Sequence, residues 1–405
     1  VIGLLAIAFA APADVEAYAA AAVERHGDVR AAFHRWEAAT ARVPGAGALP
    51  SPEVAFGVYV RAIETRVGPQ QGRIGIRQAI PWPGGLRAAS RAARAQADAA
   101  ADQLADTTLQ VVREVADAYW TLWELRTTRG LHEEHLVLLD GLSSTVRARV
   151  ETGQATLADL QQVDLVRARL ADRLATMATD ERAVVARLRS LVGDQPAYPT
   201  PTAPVLALPD PADLSARLAE HPRFAALAHE VEAADARVAA ARADRMPGVA
   251  VGGDWIAVAP GSVASPDAGR DALSVGGGVT VPLWQGVVAR DVAAARAESQ
   301  ARDATLRAAL DDATAALVAQ VAAVEDTHRR VAVVTQTLRP QAEAAFTSLL
   351  ANNTVGKASL AQTLLAQRDL LELSVEAAAA AAAHARAWAA LDALVGDVPR
   401  RPEAP

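Results

Sequence analysis

Two stretches of the chain and its two methionines are the residues from which chemistry could be built. "HEEH" (132–135) sets His132 and His135 around Glu133 and Glu134, a group that could share a metal ion. Zinc proteases place their histidines four apart, so that both project from one helix face. The spacing here is three, and on a long helix this pattern predicts a solvated charged face. "SVGGGVTVP" (274–282) is glycine-rich but lies inside a β alternation and opens no helix towards a phosphate, so it is not a dinucleotide fingerprint. Met177 and Met246 offer no soft-metal relay. There is no nucleophile elbow, P-loop or kinase signature. No catalytic, cofactor-binding or metal-ligating residue is assigned.

Composition narrows the field further. Half of the 405 residues are hydrophobic but only 4% are aromatic, and the apolar share is mostly alanine, valine and leucine. That favours long, closely packed helices over large globular cores. A net charge of −7 gives nucleic-acid binding no electrostatic support. With no cysteine, disulfides, thiol catalysis and thiolate metal sites are excluded, as is lipid attached through cysteine in this chain. The start, "VIGLLAIAFAAPADVEAY", reads as the apolar core of a signal peptide over 1–13, with cleavage after Ala10 or Ala13; a buried N-terminal helix is the alternative.

The elements that would position any site are written twice. "HGDVRAAFHRWEAATARV" (26–43) aligns with "HPRFAALAHEVEAADARV" (221–238). "IPWPGG" aligns with "VPLWQG" through Pro81 and Pro282, and through Gly85 and Gly286. "ETGQATLADLQQVDL" (151–165) aligns with "NTVGKASLAQTLLAQ" (353–367) through Gly153 and Gly356. Three matches in one order predict a duplicated unit of about two hundred residues. The copies span 14–192 and 213–396, joined by a proline-rich linker over 193–212 and followed by a tail over 397–405.

Each copy is expected to run as a helix of about thirty residues, two strands, a very long helix, a glycine turn and a second long helix. The first helices are placed at Asp14–Arg42 and Asp213–Arg245, and the hairpins at 53–82 and 248–284, one per copy. Val54, Phe56, Val58, Ile74, Ile76, Val275 and Val279 form apolar faces, opposed by Gly57, Arg73, Gly75, Arg77 and Gly276. Strands with one apolar face and one glycine-rich or charged face suit a transmembrane barrel, or a sheet half-covered by helices. Four strands cannot close a barrel, so strands that meet lipid must be pooled from several chains. From about Gln285 to Asn352, roughly 100 Å, little stops a helix except Pro340, where a bend is expected. Leu310, Leu317, Val324, Val331 and Leu338 keep a heptad spacing beside Leu306 and Val321. At each strand-to-helix junction proline ends the ladder, glycine permits the turn, and Trp82 or Trp284 suits an interfacial belt.

Strand pair, helical hairpin and their repetition, with "HP" before the second copy and Pro247 and Val249 at its first strand, resemble the TolC-like outer-membrane efflux channel family. The resemblance covers nearly the whole chain. It implies an α+β membrane protein: a homotrimer with a 12-stranded β-barrel continued by a coiled-coil α-barrel. Its setting would be the outer membrane of a Gram-negative bacterium, with a large periplasmic part and contact with outer-membrane lipid. Partners would be a periplasmic adaptor (membrane fusion) protein and an inner-membrane transporter. The chain itself would be a passive conduit, not an enzyme, with no cofactor and no nucleic acid. The tip turns, Gly153, Gln154, Ala155 and Thr156, and Gly356, Lys357, Ala358 and Ser359, would meet the adaptor. Asp159 would line a gate at the periplasmic tip, its counterpart being Gln362. "RQAIPWPGG" resembles the branch serving heavy-metal efflux; drug export and type I secretion are alternatives. A soluble periplasmic coiled-coil adaptor is the reading from a different class.

Overall fold

A computed structural model describes residues 13–193, 204, 208, 211–261 and 266–396. Residues 1–12 of the expected signal segment, most of the linker 193–212, part of the second strand loop and the tail 397–405 lie outside the described residues. The order of elements repeats as expected: α1 (Ala13–Arg25), α2 (Gly27–Ala46), β1 (Glu53–Thr65), β2 (Gly68–Ile80), α3 (Pro83–Glu151) and α4 (Leu157–Val192). The second copy supplies α5 (Pro211–Ala219), α6 (Pro222–Ala243), β3 (Gly248–Val258), β4 (Ala272–Thr280), α7 (Gln285–Val333), α8 (Arg339–Thr354) and α9 (Leu360–Val395). Two compact units result: Val1–Ala32 with Leu104–Pro222 and Leu310–Pro405, and Phe33–Gln103 with Arg223–Ala309.

Two expectations are corrected. The opening helix of each copy is two helices. Pro222 has no N–H to donate and disfavours helical geometry at His221, so α5 stops and α6 starts on the proline. In the first copy the break falls at His26, whose Nδ1 accepts the Asp28 N–H at 3.3 Å, a side-chain cap in place of a turn. Both expected hairpins are present, and they join edge to edge in one sheet. β2 pairs antiparallel with β3 from Ile80↔Val249 to Gln70↔Val258, giving the order β1-β2-β3-β4 with β1 and β4 at the edges.

The second correction concerns the junction glycines. Neither Gly85 nor Gly286 has a positive φ. The chain enters α3 directly with Pro83 at its first position, where the absent donor costs nothing. Gly85 is small because a Cβ there would stand 3.3 Å from the Ala243 Cβ, whereas Gly286 faces open space.

At Pro340, where a bend was expected, the regular α-helical ladder is interrupted. Residues Val334–Leu338 form a π-turn, with the Arg339 N–H bonded to the Val334 carbonyl five residues back. The wider turn takes the chain past the proline, whose nitrogen cannot serve the ladder. Of the heptad positions, Leu317, Val324 and Val331 are buried, while Leu310 and Leu338 at the ends stand partly exposed. In the same unit Tyr119, Trp120 and Trp123 of α3 pack with Tyr18 of α1 and with Ala378, Ala382 and Ala385 of α9. Alanines on α9 allow that close approach.

Candidate functional site

In the sheet unit, register sorts the side chains into two unlike faces. One cross-strand row reads Val54–Ile76–Gly253–Val275 and the next Phe56–Ile74–Trp255–Leu273. These apolar side chains point into solvent: Phe56 is 85% exposed, and Val275 likewise 85%. Fully burying a side chain of this size is worth about 1.5–3 kcal/mol, so the bare face represents a large unused driving force. Among the described residues no helix is long and apolar enough to cross a membrane.

The opposite face carries Glu53–Arg77–Gly252–Gly276 and Ala55–Gly75–Asp254–Ser274 in successive rows. Its charges lie over glycines. A Cβ on Gly75 would stand 2.3 Å from Asp254 Oδ1, and one on Gly278 would stand 3.4 Å from Arg77 Nη2. Glycine here leaves room for a polar side chain to lie against the wall.

At both junctions tryptophan begins the helix from outside. The Trp82 carbonyl accepts the Gly85 N–H at 2.9 Å and the Trp284 carbonyl accepts the Val287 N–H at 3.0 Å. Trp82 lies close over Gly84, and Trp284 is 79% exposed. Pro81 directly follows β2, and Pro282 follows β4 after one intervening residue.

In the other unit the two tip turns match bond for bond. Gly153 and Gly356 both have φ +75°, where a Cβ would be strained. Their N–H groups reach the carbonyls of Val150 at 3.0 Å and Asn353 at 3.1 Å; those of Gln154 and Lys357 reach Arg149 at 2.7 Å and Asn352 at 2.8 Å. Ala155 and Ala358 complete the turns. Thr156 and Ser359 then cap α4 and α9. The Thr156 N–H and hydroxyl donate to Asp159 Oδ2 at 2.9 and 2.7 Å, and Thr156 Oγ1 accepts the Asp159 N–H at 3.1 Å. Ser359 and Gln362 repeat the exchange at 3.0, 3.1 and 3.2 Å. The position after the turn therefore needs an acceptor, which a carboxylate and an amide both supply. Bonds from the Thr156 backbone and hydroxyl hold the Asp159 carboxyl below its ordinary value of 3.8. Sequence reasoning placed Asp159 and Gln362 at a gate and missed the caps, although the local pattern T/S-x-x-D/Q before an apolar run marks them.

The tips touch each other. Arg149 Nη1 approaches the Asn353 carbonyl at 3.3 Å and its Oδ1 at 3.4 Å, and Asn353 donates to the Ala358 carbonyl at 3.0 Å. The two histidines of "HEEH" part company. His132 Nδ1 lies 2.8 Å from the Thr128 carbonyl, whereas His135 is buried against Gln367 of α9. Among the described residues no group of three potential ligands could hold a metal. Sequence reasoning missed the His135–Gln367 pair and the partly buried pairing of Glu181 with Arg126 and Arg129, because both join residues remote in the chain.

Comparison with known proteins places this geometry. A family model described as Outer membrane efflux protein matches residues 19–194 and 214–397, one match per copy. The outer membrane efflux protein BepC of Brucella suis biovar 1 (strain 1330) is 25% identical over 295 residues, covering 70% of this chain and 62% of that protein. The chain thus spans less than two thirds of that curated relative. The structure of VceC from Vibrio cholerae superposes with a TM-score of 0.79 at 21% identity, covering 94% of this chain and 96% of that one. CusC, whose structures concern transmembrane channel formation, superposes at 0.83 with 18% identity, covering 95% and 92%. The open-state MtrE channel of Neisseria gonorrhoeae superposes at 0.79 with 18% identity, covering 95% and 89%.

Proposed function

The chain belongs to the outer membrane efflux protein family, and we propose that it is the outer-membrane channel subunit of a tripartite efflux system. The observation that carries this is the sheet: one face dominated by exposed apolar side chains such as Val54, Phe56, Ile76 and Val275, the other small and charged, with β1 and β4 left as open edges. Lipid tolerates no unpaired strand edge, so a lipid-facing sheet of four strands calls for neighbours. Three copies would close twelve strands, with Trp82 and Trp284 at the membrane boundary where each strand becomes a helix.

In this reading the helical hairpins extend into the periplasm of a Gram-negative cell. The turns at Gly153–Thr156 and Gly356–Ser359 meet a periplasmic adaptor, and an inner-membrane transporter supplies the energy. Asp159 lies at the tip, where three like charges would attract cations and raise one another's pKa. The cargo is proposed to be small solutes, with metal ions favoured by the form of the "RQAIPWPGG" junction.

Reconstitution into planar bilayers tests the reading. A discrete conductance from a heat-modifiable oligomer supports it, and recovery as a soluble periplasmic monomer defeats it in favour of the adaptor class. Asp159→Asn is expected to weaken divalent-cation block; unchanged block and conductance remove Asp159 from the gate. Deletion of the chain is expected to sensitise cells to metal ions, whereas sensitivity to drugs alone or loss of protein secretion would reassign the cargo.

A further inference from the structure

Charge is unevenly spread along the sheet unit. The chain carries a net −7, yet residues 65–97 hold six arginines and no aspartate or glutamate. Along α3 the first acid is Asp98, and before it Arg87, Arg91 and Arg94 recur at i, i+4 and i+7, which puts them on one helix face. All three are exposed, and none makes an ion pair or a side-chain hydrogen bond among the described residues. Like charges one turn apart repel, so this stripe is unfavourable until an anion meets it.

More arginines gather at the same level. α3 begins where α2 and α6 end: a Cβ on Gly47 would stand 3.1 Å from the Ser90 Cβ, and one on Gly85 would stand 3.3 Å from the Ala243 Cβ. Arg242 and Arg245 lie exposed at that end of α6, and Arg290 lies exposed in the first turns of α7, again without an ion pair among the described residues. Within about two turns of the strands, Asp244 and Asp291 are the acids these helices set against them. Deeper in α7 arginine finds carboxylates: Arg302 meets Glu230 at 3.1 Å and Arg307 meets Asp303 at 2.6 Å.

The surface next to this belt is apolar. Leu283 is 76% exposed, Trp284 79% and Val287 58%, so the bare face of the sheet continues into the first turn of α7, where Arg290 follows Val287 on one helix face. Helical side chains lean towards the helix N-terminus. In α3 and α7, which run away from the strands, that direction carries Arg87, Arg91 and Arg290 back towards Trp82 and Trp284. Resting on the outer-membrane channel reading, we propose that these arginines form a belt that binds the phosphate groups of anionic phospholipid in the leaflet facing the periplasm. The guanidinium fork matches a phosphate in two parallel hydrogen bonds, and the headgroup supplies the anion that the protein withholds.

The oligomer of the full chain, reconstituted in phosphatidylcholine vesicles, is probed by electron spin resonance with spin-labelled phosphatidylglycerol and spin-labelled phosphatidylcholine. Wild type is expected to hold phosphatidylglycerol about tenfold more tightly, with the preference falling as salt is raised. Arg87→Gln, Arg91→Gln and Arg94→Gln together should reduce it to about twofold and leave the conductance intact. Arg307→Gln, which removes an arginine already facing a carboxylate, should keep the wild-type preference. Equal affinity of wild type for the two lipids overturns the belt, as does a triple variant with undiminished preference. Displacement of the labelled lipid by inorganic phosphate at constant ionic strength assigns the site to free phosphate and overturns the lipid proposal. A triple variant that keeps its lipid preference but changes the ion selectivity of the conductance places the arginines on the channel wall, with the same consequence. A wild-type chain that is monomeric and without conductance instead overturns the channel reading itself.

Discussion

His135 and Gln367 share a buried hydrogen bond of 2.8 Å that joins α3 of the first copy to α9 of the second. The amide Nε2 donates to the ring Nδ1, so the bond requires that nitrogen to be unprotonated. The pairing ties together two segments remote in sequence.

Burial holds the His135 pKa below its ordinary 6.5, with Glu134 opposing the shift and His132 adding to it. The unfolded chain then takes up the proton first as pH falls below about 6.5, so this contribution to stability is complete above that pH and declines towards the folded pKa. Thermal unfolding should therefore begin at lower temperature at pH 5.5 than at pH 7.5. The double variant His135→Leu, Gln367→Leu should flatten that part of the difference at little cost, since both polar partners leave together.

The cap at Thr156 needs an acceptor at residue 159, as the Ser359–Gln362 pair demonstrates with an amide. Asp159→Gln should leave hydrogen-exchange protection in the first turn of α4 nearly unchanged. Asp159→Ala should lower it by about 1 kcal/mol. Because the carboxyl is held below 3.8, its stabilisation is present above that pH and lost as pH drops through the folded value.

Glycine substitutions should split by backbone conformation. Gly153→Ala forces a Cβ onto φ +75° and should destabilise the tip by about 1 kcal/mol, measured by denaturant unfolding. Gly141→Ala, inside α3 with open space around it, should stabilise by roughly 0.5–1 kcal/mol.

The two faces of the sheet should respond oppositely to charge. Phe56→Arg on the apolar face should cost about 2–4 kcal/mol of insertion stability in vesicles, seen as loss of the heat-modifiable band. Gly57→Ser on the opposite face, where a Cβ meets only Arg73 Cγ at 3.7 Å, should insert as wild type does.

The duplication, the long helices, the strand alternation and the glycine tip turns were legible in the chain itself, because each depends on spacing within one element. Alternation assigns Phe56 and Gly57 to opposite faces whatever lies beside them, and a positive-φ turn selects glycine wherever it occurs. Contacts across the fold were not legible in that way. That β2 pairs with β3, that Gly85 is small because Ala243 approaches it, and that half of "HEEH" is a buried joint with Gln367 depend on which remote residue arrives opposite. Local periodicity constrains a residue's direction along its own backbone. Only tertiary packing decides which neighbour it meets, since that choice depends on the folded path of the intervening chain.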